Sequence, residues 1–217
     1  LAPLFNDFEP LEEGEARADV LQLGEQAGVD IGEVYRVDAS RRSTAINAYV
    51  GGIGPTKRVV LYDTLLEDLD RGERRSVIAH ELAHVENRDI PRGILFVGIA
   101  APLALLFVAG ASRALAARSG AEPGTPASLP ALMLAFAIAS FAVGVAGNQL
   151  SREVEAKADT DALELTGDPQ AMIALQQRLA ARNLSDPSPP GWSRVLFGTH
   201  PTSLERIGMA APPAEGP

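Results

Sequence analysis

Two long uncharged stretches dominate the pattern of hydrophobic and polar positions. Residues 93–112 read GILFVGIAAPLALLFVAGAS, and residues 123–151 are again uncharged around the block LPALMLAFAIASFAVGVAG. Each stretch reaches the roughly 20 residues that cross a hydrocarbon core of about 30 Å. Buried helices of a soluble bundle are usually shorter and rarely apolar on every side. The pattern therefore favours a transmembrane hairpin over residues 93–150, rather than a buried hairpin in a soluble protein.

The charges beside this hairpin do not fix its orientation. Arginines stand at both ends of the two apolar stretches: Arg88, Arg92, Arg113, Arg118 and Arg152. An excess of lysine and arginine marks the cytoplasmic ends of membrane helices only when the two sides differ.

Before the hairpin, short strands alternate with helices. The predicted elements are a helix over 14–28, strands over 34–37, 45–50 and 58–62, a helical turn over 64–69 and a helix over 73–88. A glycine-rich turn at residues 51–55 joins the last two strands, as in a hairpin. This part of the chain therefore predicts a small sheet next to helices.

After the hairpin, the pattern is helical. A helix covers residues 131–166, and Gly167-Asp168-Pro169 ends it and begins the next helix. Residues 186–191 are predicted to form a loop, and a short helix follows Thr202, which has capping-box spacing to the glutamate three residues later. The proline- and alanine-rich end from Ala210 is expected to be a loose tail. The predicted fold class is thus α+β, mostly helical, with a small β-sheet and an inserted transmembrane helical hairpin.

Composition narrows the chemistry that the chain can carry. Its net charge is −9 at pH 7 and its acidic residues are spread out, so the basic patch of a nucleic-acid-binding protein is missing. The chain has no cysteine, so imidazole and carboxylate groups must hold any metal. A chain of 217 residues is long enough for one domain with a core. From this length we expect residues 1–217 to be one domain. Because the chain begins abruptly at Leu1, we expect it to be a fragment of a longer protein.

The sequence His80-Glu81-Leu82-Ala83-His84 forms an H-E-x-x-H motif within the helix predicted over 73–88. Spacing of four residues places both imidazoles on one helix face, where they can bind a single tetrahedral zinc ion. Glu81 is then positioned to take a proton from water and pass it to a leaving amine. The alternative is a solvated helix face that carries two histidines and a glutamate.

A hydrolytic zinc site needs a third protein ligand, and a carboxylate is the natural candidate here. Glu155 and Asp159 are four residues apart and share a helix face, whereas Glu153 points about 200° away from Glu155 around the helix. We expect Glu155 to bind the metal and Asp159 to accept the second N–H of a zinc-bound histidine. The alternative is a charged and merely solvated helix surface.

Five blocks of sequence, in order, resemble the catalytic domain of the type I CAAX prenyl protease family of integral-membrane zinc endopeptidases. They are LAPLFNDFEPLEEGEAR, SRRSTAINAYVGGIGPTKRVVLYDTLLED, AHELAHVENRD, LSREVEAKAD and LFGTHPTSLERI. A bacterial heat-shock membrane protease of the same clan is more distantly similar. The resemblance implies a zincin-like fold, zinc bound by His80, His84 and Glu155, and upstream membrane helices that this chain lacks.

The resemblance also implies further site residues. His200 and Arg206 of the motif H-P-x-x-x-x-R would stabilise the oxyanion or hold the substrate; a structural role, with the arginine paired to the adjacent Glu205, is the alternative. Residues Asn47, Ala48 and Tyr49 resemble the strand that such proteases offer to an extended substrate. The chain departs from the eukaryotic members at residues 44–46, which weakens the case for a prenylated peptide as substrate.

The function expected from the sequence is hydrolysis of protein or peptide substrates near a membrane, with one zinc ion per chain. A membrane-bound scaffold or binding protein with a retained but unused metal site is the alternative, and the intact Glu81 argues against it. The acidic, alanine- and arginine-rich composition indicates a bacterial plasma-membrane protein, in which quality control of membrane proteins is favoured over CAAX-type processing. We expect the catalytic domain on the cytoplasmic side.

Overall fold

The computed structural model describes residues 7–52, 54–182 and 186–211 as four strands and eight α-helices joined by turns. The strands are β1 (Phe8–Pro10), β2 (Glu33–Val37), β3 (Ala48–Gly51) and β4 (Arg58–Tyr62). The helices are α1 (Glu15–Gln26), α2 (Asp63–Asp68), α3 (Arg71–Glu86), α4 (Asp89–Arg118), α5 (Leu129–Thr166), α6 (Pro169–Arg182), α7 (Gly191–Phe197) and α8 (Ser203–Ala210). The mostly helical α+β class predicted from the sequence is confirmed.

Contacts divide the chain into two units. The first contains the described residues up to Arg88, those of Val154–Pro189 and those from Pro201 onward; the second contains Asp89–Glu153 and Pro190–His200. The first unit therefore holds the whole sheet and the H-E-x-x-H helix. The second holds the apolar helices, so the chain leaves the first unit and returns to it.

The sheet of the first unit has the strand order β1-β2-β4-β3. Strand β2 is parallel to β4, whereas β1 and β3 run antiparallel to their neighbours. Among the described strands β3 pairs only with β4, so it forms an edge of the sheet, and it lies against α3.

Helix α3 packs one face into the core of the first unit. Ile78, Ala79 and Leu82 are at most 1% exposed and join a cluster with residues of β4 and α1. Burial of each large apolar side chain contributes roughly 1.5 to 3 kcal/mol. Because this face is fixed inward, His80 and His84 are held on the partly exposed side of the helix.

Two buried carboxylates fix the first half of α3. Asp19 of α1 is 2% exposed and accepts hydrogen bonds from Arg71 at 2.9 and 3.0 Å and from Arg75 at 2.5 Å. Glu73 closes a capping box with Asp70 and accepts a bond of 3.0 Å from Arg178 of α6. Removing one partner of a buried ion pair is strongly destabilising. These pairs therefore fix the register of α3 against α1 and α6.

The second unit carries two long apolar helical segments. Within the described residues, Asp89–Arg118 and Pro126–Thr166 are long and apolar enough to cross a membrane. Only 6% and 11% of their most apolar stretches are buried, whereas a soluble core helix would be mostly buried. Val108, Ala135 and Ala139 form the small core of this unit. This exposure agrees with a membrane hairpin, whose bounds of 93–150 stay a prediction.

Several element boundaries differ from the sequence prediction. Strand β3 begins at Ala48 rather than at residue 45, and α3 begins at Arg71 because its capping residue is Asp70. Helix α3 ends at Glu86 because Arg88 takes the left-handed conformation (φ 57°) that often follows a helix. The loop expected at 186–191 is shorter, because α7 begins at its last residue.

Other differences concern the ends of the chain and the short elements. Strand β1 was not predicted, because three residues ending in a proline give no alternating pattern. The predicted tail begins after Ala210, which ends α8 and is 5% exposed. Residue 53 of the predicted turn and residues 212–217 of the tail lie outside the described residues.

Candidate metal centre

Two helices of the first unit supply the candidate site. Helix α3 carries His80, Glu81 and His84, and the last part of α5 carries Glu155 and Asp159. His80 and His84 are four positions apart on α3, as are Glu155 and Asp159 on α5, so each of these pairs shares one helix face. The structure brings together these five of the side chains that the sequence predicted; the others, His200, Arg206 and residues 47–49, are described below.

Three donor atoms converge between the two helices. Nε2 of His80 lies 3.2 Å from Nε2 of His84 and 3.4 Å from Oε2 of Glu155, and Nε2 of His84 lies 3.6 Å from Oε1 of Glu155. Ligand atoms bound at 2.0 to 2.1 Å to a tetrahedral zinc ion are separated by about 3.3 to 3.4 Å. Among the described residues this is the one His/Cys/Asp/Glu group with metal-site spacing. The three side chains therefore fit a tetrahedral cation.

Glu81 stands beside this group without belonging to it. Its side chain is half-buried, and burial raises the pKa of its carboxyl group, with the charge of Glu155 acting in the same direction and those of His80 and His84 opposing it. A carboxylate whose pKa is raised toward neutrality is better suited to exchange protons. Glu81 thus has the environment of a general base.

Asp159 lies behind the first histidine. Its side chain is 1% exposed, and its Oδ1 is 3.0 Å from Nδ1 of His80, although the pair is not aligned as a regular hydrogen bond. Burial lowers the pKa of His80, but the carboxylates of Asp159 and Glu155 outweigh it and raise that pKa to about 9. A cation bound at Nε2 would displace the proton on the side of Glu155 and leave the Nδ1 proton beside Asp159.

Arg206 contacts Asp159 rather than the three donor atoms. Its Nε donates to Oδ2 at 2.7 Å, and its Nη2 donates to Oδ1. The neighbouring Glu205 closes the capping box of α8 with Thr202. This arrangement differs from the pairing of Arg206 with Glu205 that the sequence left open, and sequence spacing gave no signal for Asp159 as the partner.

A second polar link joins the two helices at the other end of the site. Nδ2 of Asn87 donates to Oδ2 of Asp161 at 2.5 Å, and Lys157 binds the same carboxylate at 2.9 Å. The four-residue spacing of Lys157 and Asp161 is visible in the sequence. The contact with Asn87 is not, because it spans 74 residues.

His200 lies in the second unit, between α7 and α8, and is exposed. The preceding helix is docked on α5 within that unit: Asn148 donates to the carbonyl of Leu196 at 2.7 Å, and Arg152 donates to those of Arg194 and Gly198. Arg152, which the sequence analysis treated only as a flanking charge, thus satisfies carbonyl groups at the end of α7.

The predicted substrate strand falls on β3 at the sheet edge. The carbonyl of Asn47 accepts a hydrogen bond of 3.1 Å from the backbone amide of Tyr62. In an antiparallel pair, alternate residues bond to the neighbouring strand, so the backbone groups of the next residue, Ala48, point away from β4 toward the sheet edge. The backbone amide of Ala48 donates a hydrogen bond of 2.9 Å to Oδ1 of the Asn47 side chain. Ala48 is 2% exposed, and Tyr49 packs on the opposite sheet face from Ala48. Because this exposure covers the whole residue, the backbone of Ala48 is also buried, and a peptide could reach it only if the groups that cover it moved.

Comparisons with known proteins found similar metalloproteases. The model described as Peptidase family M48 matches residues 10–212. The metalloprotease YhfN of Bacillus subtilis (strain 168) is 36% identical over 221 residues, covering 96% of this chain and 50% of YhfN. A CAAX prenyl protease 1 homolog of Oryza sativa subsp. japonica is 33% identical over 215 residues, covering 95% of this chain and 49% of that protein.

The fold is also similar to a solved structure. The crystal structure of S. mikatae Ste24p superimposes with a TM-score of 0.80 and 26% identity, covering 96% of this chain and 52% of that one. The chain thus spans about half the length of these three proteins.

Proposed function

Because the chain belongs to peptidase family M48, we propose that it is the catalytic region of a membrane-bound, zinc-dependent endopeptidase. The observation that carries this proposal is the convergence of three donor atoms of His80, His84 and Glu155 at distances of 3.2 to 3.6 Å. Imidazole and carboxylate ligands in this number are typical of catalytic zinc sites, which keep one position open.

Each side chain then has a separate task. His80, His84 and Glu155 would hold zinc, which when bound supplies a Lewis acid that polarises water and the scissile carbonyl. Glu81 takes a proton from the attacking water and returns it to the amine nitrogen that leaves. Asp159 holds the proton on Nδ1 of His80, so that the lone pair of Nε2 is free to bind the metal. His200 is proposed to stabilise the oxyanion, in line with the resemblance of its motif.

The substrate is proposed to bind as an extended strand along β3. An edge strand offers unpaired backbone groups to an added strand, and β3 lies against the helix that carries His80. The backbone groups of Ala48 point toward this edge but are buried, so a peptide would pair with them only after displacing the covering groups, among them the side chain of Asn47.

The metal is tested by elemental analysis. The chain purified in detergent without chelator is expected to contain one zinc ion, because its three donors match the ligand spacing of a tetrahedral zinc site. The His84→Ala variant should lose that zinc. A folded wild-type chain that stays metal-free after dialysis against zinc would contradict the proposal.

We further propose that substrates are cleaved near their own membrane anchors. His84 precedes the first apolar stretch at Ile94 by ten residues, and Glu155 follows the second, which ends at Leu150, by five. Leu150 and Glu155 lie on the one helix α5, so at 1.5 Å per helical residue they are about 7 to 8 Å apart. The ten residues from His84 to Ile94 include the break between α3 and α4, so the helical rise does not give their separation. A zinc ion held by both ligands would then lie within one or two helix turns of the bilayer surface.

A reporter series tests this second proposal. Proteins with one cleavable segment at increasing distance from a transmembrane helix are reconstituted in liposomes with the enzyme. Cleavage is expected to decline as the segment moves away from the anchor, since the active site stays near the surface. The Glu81→Gln enzyme provides the background. Equal cleavage at every distance, or of an anchor-free reporter, would show that the hairpin only tethers the enzyme.

A further inference from the structure

We infer that Arg206 is a positioning residue, which holds the buried carboxylate of Asp159 in the orientation that presents Nε2 of His80 to the metal. The inference rests on the proposed zinc site. It gives Arg206 a different task from the substrate contact that the sequence resemblance implied.

The first observation is the geometry of the pair. Nε of Arg206 donates to Oδ2 of Asp159 at 2.7 Å, and Nη2 donates to Oδ1, so one edge of the guanidinium binds both carboxylate oxygens. Such a two-pronged contact fixes the plane of the carboxylate as well as its position. The edge of Arg206 that makes this contact is occupied by Asp159 and cannot also bind a substrate carbonyl.

The second observation is burial. Asp159 is 1% exposed and Arg206 is 17% exposed, so water has little access to the carboxylate. A buried carboxylate needs hydrogen-bond donors in place of the water that it has lost. Without Arg206, the plane of the Asp159 carboxylate would be free to turn, and that turn alters the contact between its Oδ1 and Nδ1 of His80, which are 3.0 Å apart.

The third observation is how Arg206 is itself held. The capping box of Thr202 and Glu205 defines the first turn of α8, and Arg206 follows directly in that turn. Its backbone amide donates to the carbonyl of Thr202 at 3.0 Å. The guanidinium is therefore carried by an ordered helix start, which connects α8 through Asp159 to the metal-binding face of α3.

The experiment measures zinc affinity by chelator competition in the purified full chain. Arg206→Met should weaken zinc binding about 10- to 100-fold, as for other partners that orient a metal-bound histidine. At saturating zinc the KM of this variant should stay within about threefold of wild type, because on this inference Arg206 does not contact the substrate. The double variant with Asp159→Asn should bind zinc no more than about threefold worse than Asp159→Asn alone, because residues acting through one another are not additive.

Arg178→Met is the matched control. It removes an arginine paired with the buried Glu73 of the same helix, on the turns before His80. It should lower stability but leave the zinc affinity of the folded chain unchanged. Should Arg206→Met fail to fold, Arg206→Lys decides the question: lysine keeps the charge but not the two-pronged contact, so zinc affinity should fall about three- to tenfold.

The outcomes separate this inference from the proposed function. Unchanged zinc affinity with a tenfold or larger rise in KM would identify Arg206 as a substrate contact and overturn the inference. If Arg206→Met fails to fold, wild-type zinc affinity in Arg206→Lys would also overturn the inference. A wild-type chain that binds no zinc would instead remove the proposed function.

Discussion

Replacing Glu81 by glutamine is expected to lower peptide hydrolysis about 10²- to 10⁴-fold, because the amide cannot accept the proton of the attacking water. The variant should keep its zinc, since Glu81 is not among the three converging donors. Glutamine has nearly the same shape, so the fold should not change. The measurement is kcat/KM on a peptide substrate, together with zinc content by elemental analysis.

Glu86 provides the matched control for this prediction. It lies on the same helix, is exposed, and loses the same charge when replaced by glutamine. Glu86→Gln should hydrolyse peptides at the wild-type rate. If Glu81→Gln retained activity within tenfold of wild type, a different residue would have to act as the base.

The Glu155→Gln variant is expected to lose zinc and with it most activity, because two histidines are left to hold the ion. Glu153→Gln removes the same charge two residues away and should retain both. In the structure Glu153 is exposed and accepts a hydrogen bond from Gln149 at 2.9 Å, whereas the donor group includes Glu155. Zinc affinity by chelator competition, measured side by side, distinguishes the two variants.

This pair of variants tests the assignment of the helix face. The two glutamates differ by about 200° around the helix, so only one of them can face α3. Equal losses of zinc affinity in both variants would refute the assignment of Glu155 as ligand. If both variants retained wild-type zinc affinity, the third ligand would have to come from elsewhere in the chain.

The sequence predicted those parts of the site that depend on spacing along a single helix. The four-residue interval between His80 and His84 is enough to place both rings on one face. The interval between Glu155 and Asp159 selects one glutamate from two by the same arithmetic. The pairing of these two faces came from the chemical requirement for a third ligand, and the structure brings them together.

The parts that could not be predicted depend on contacts between distant elements. Arg206 and Asp159 are 47 residues apart, and their pairing requires α8 to pack beside the end of α5 within the first unit. Helical periodicity is local, so it predicts on which side of its own helix an arginine lies but not which distant residue it contacts. Helix α7 was missed for a related reason: its seven residues follow a proline-rich segment and are too few to show a period.

The interruption of the first unit by the second also has a consequence for synthesis. Glu155 follows His84 by 71 residues, and the two apolar helices lie between them. A nascent chain that has emerged only as far as α4 carries two imidazoles and an incomplete ligand set, which holds zinc weakly. The third ligand is translated only after both apolar helices. On the proposed function, peptide hydrolysis would therefore begin only after both apolar helices have been translated, and unfinished chains would be inactive.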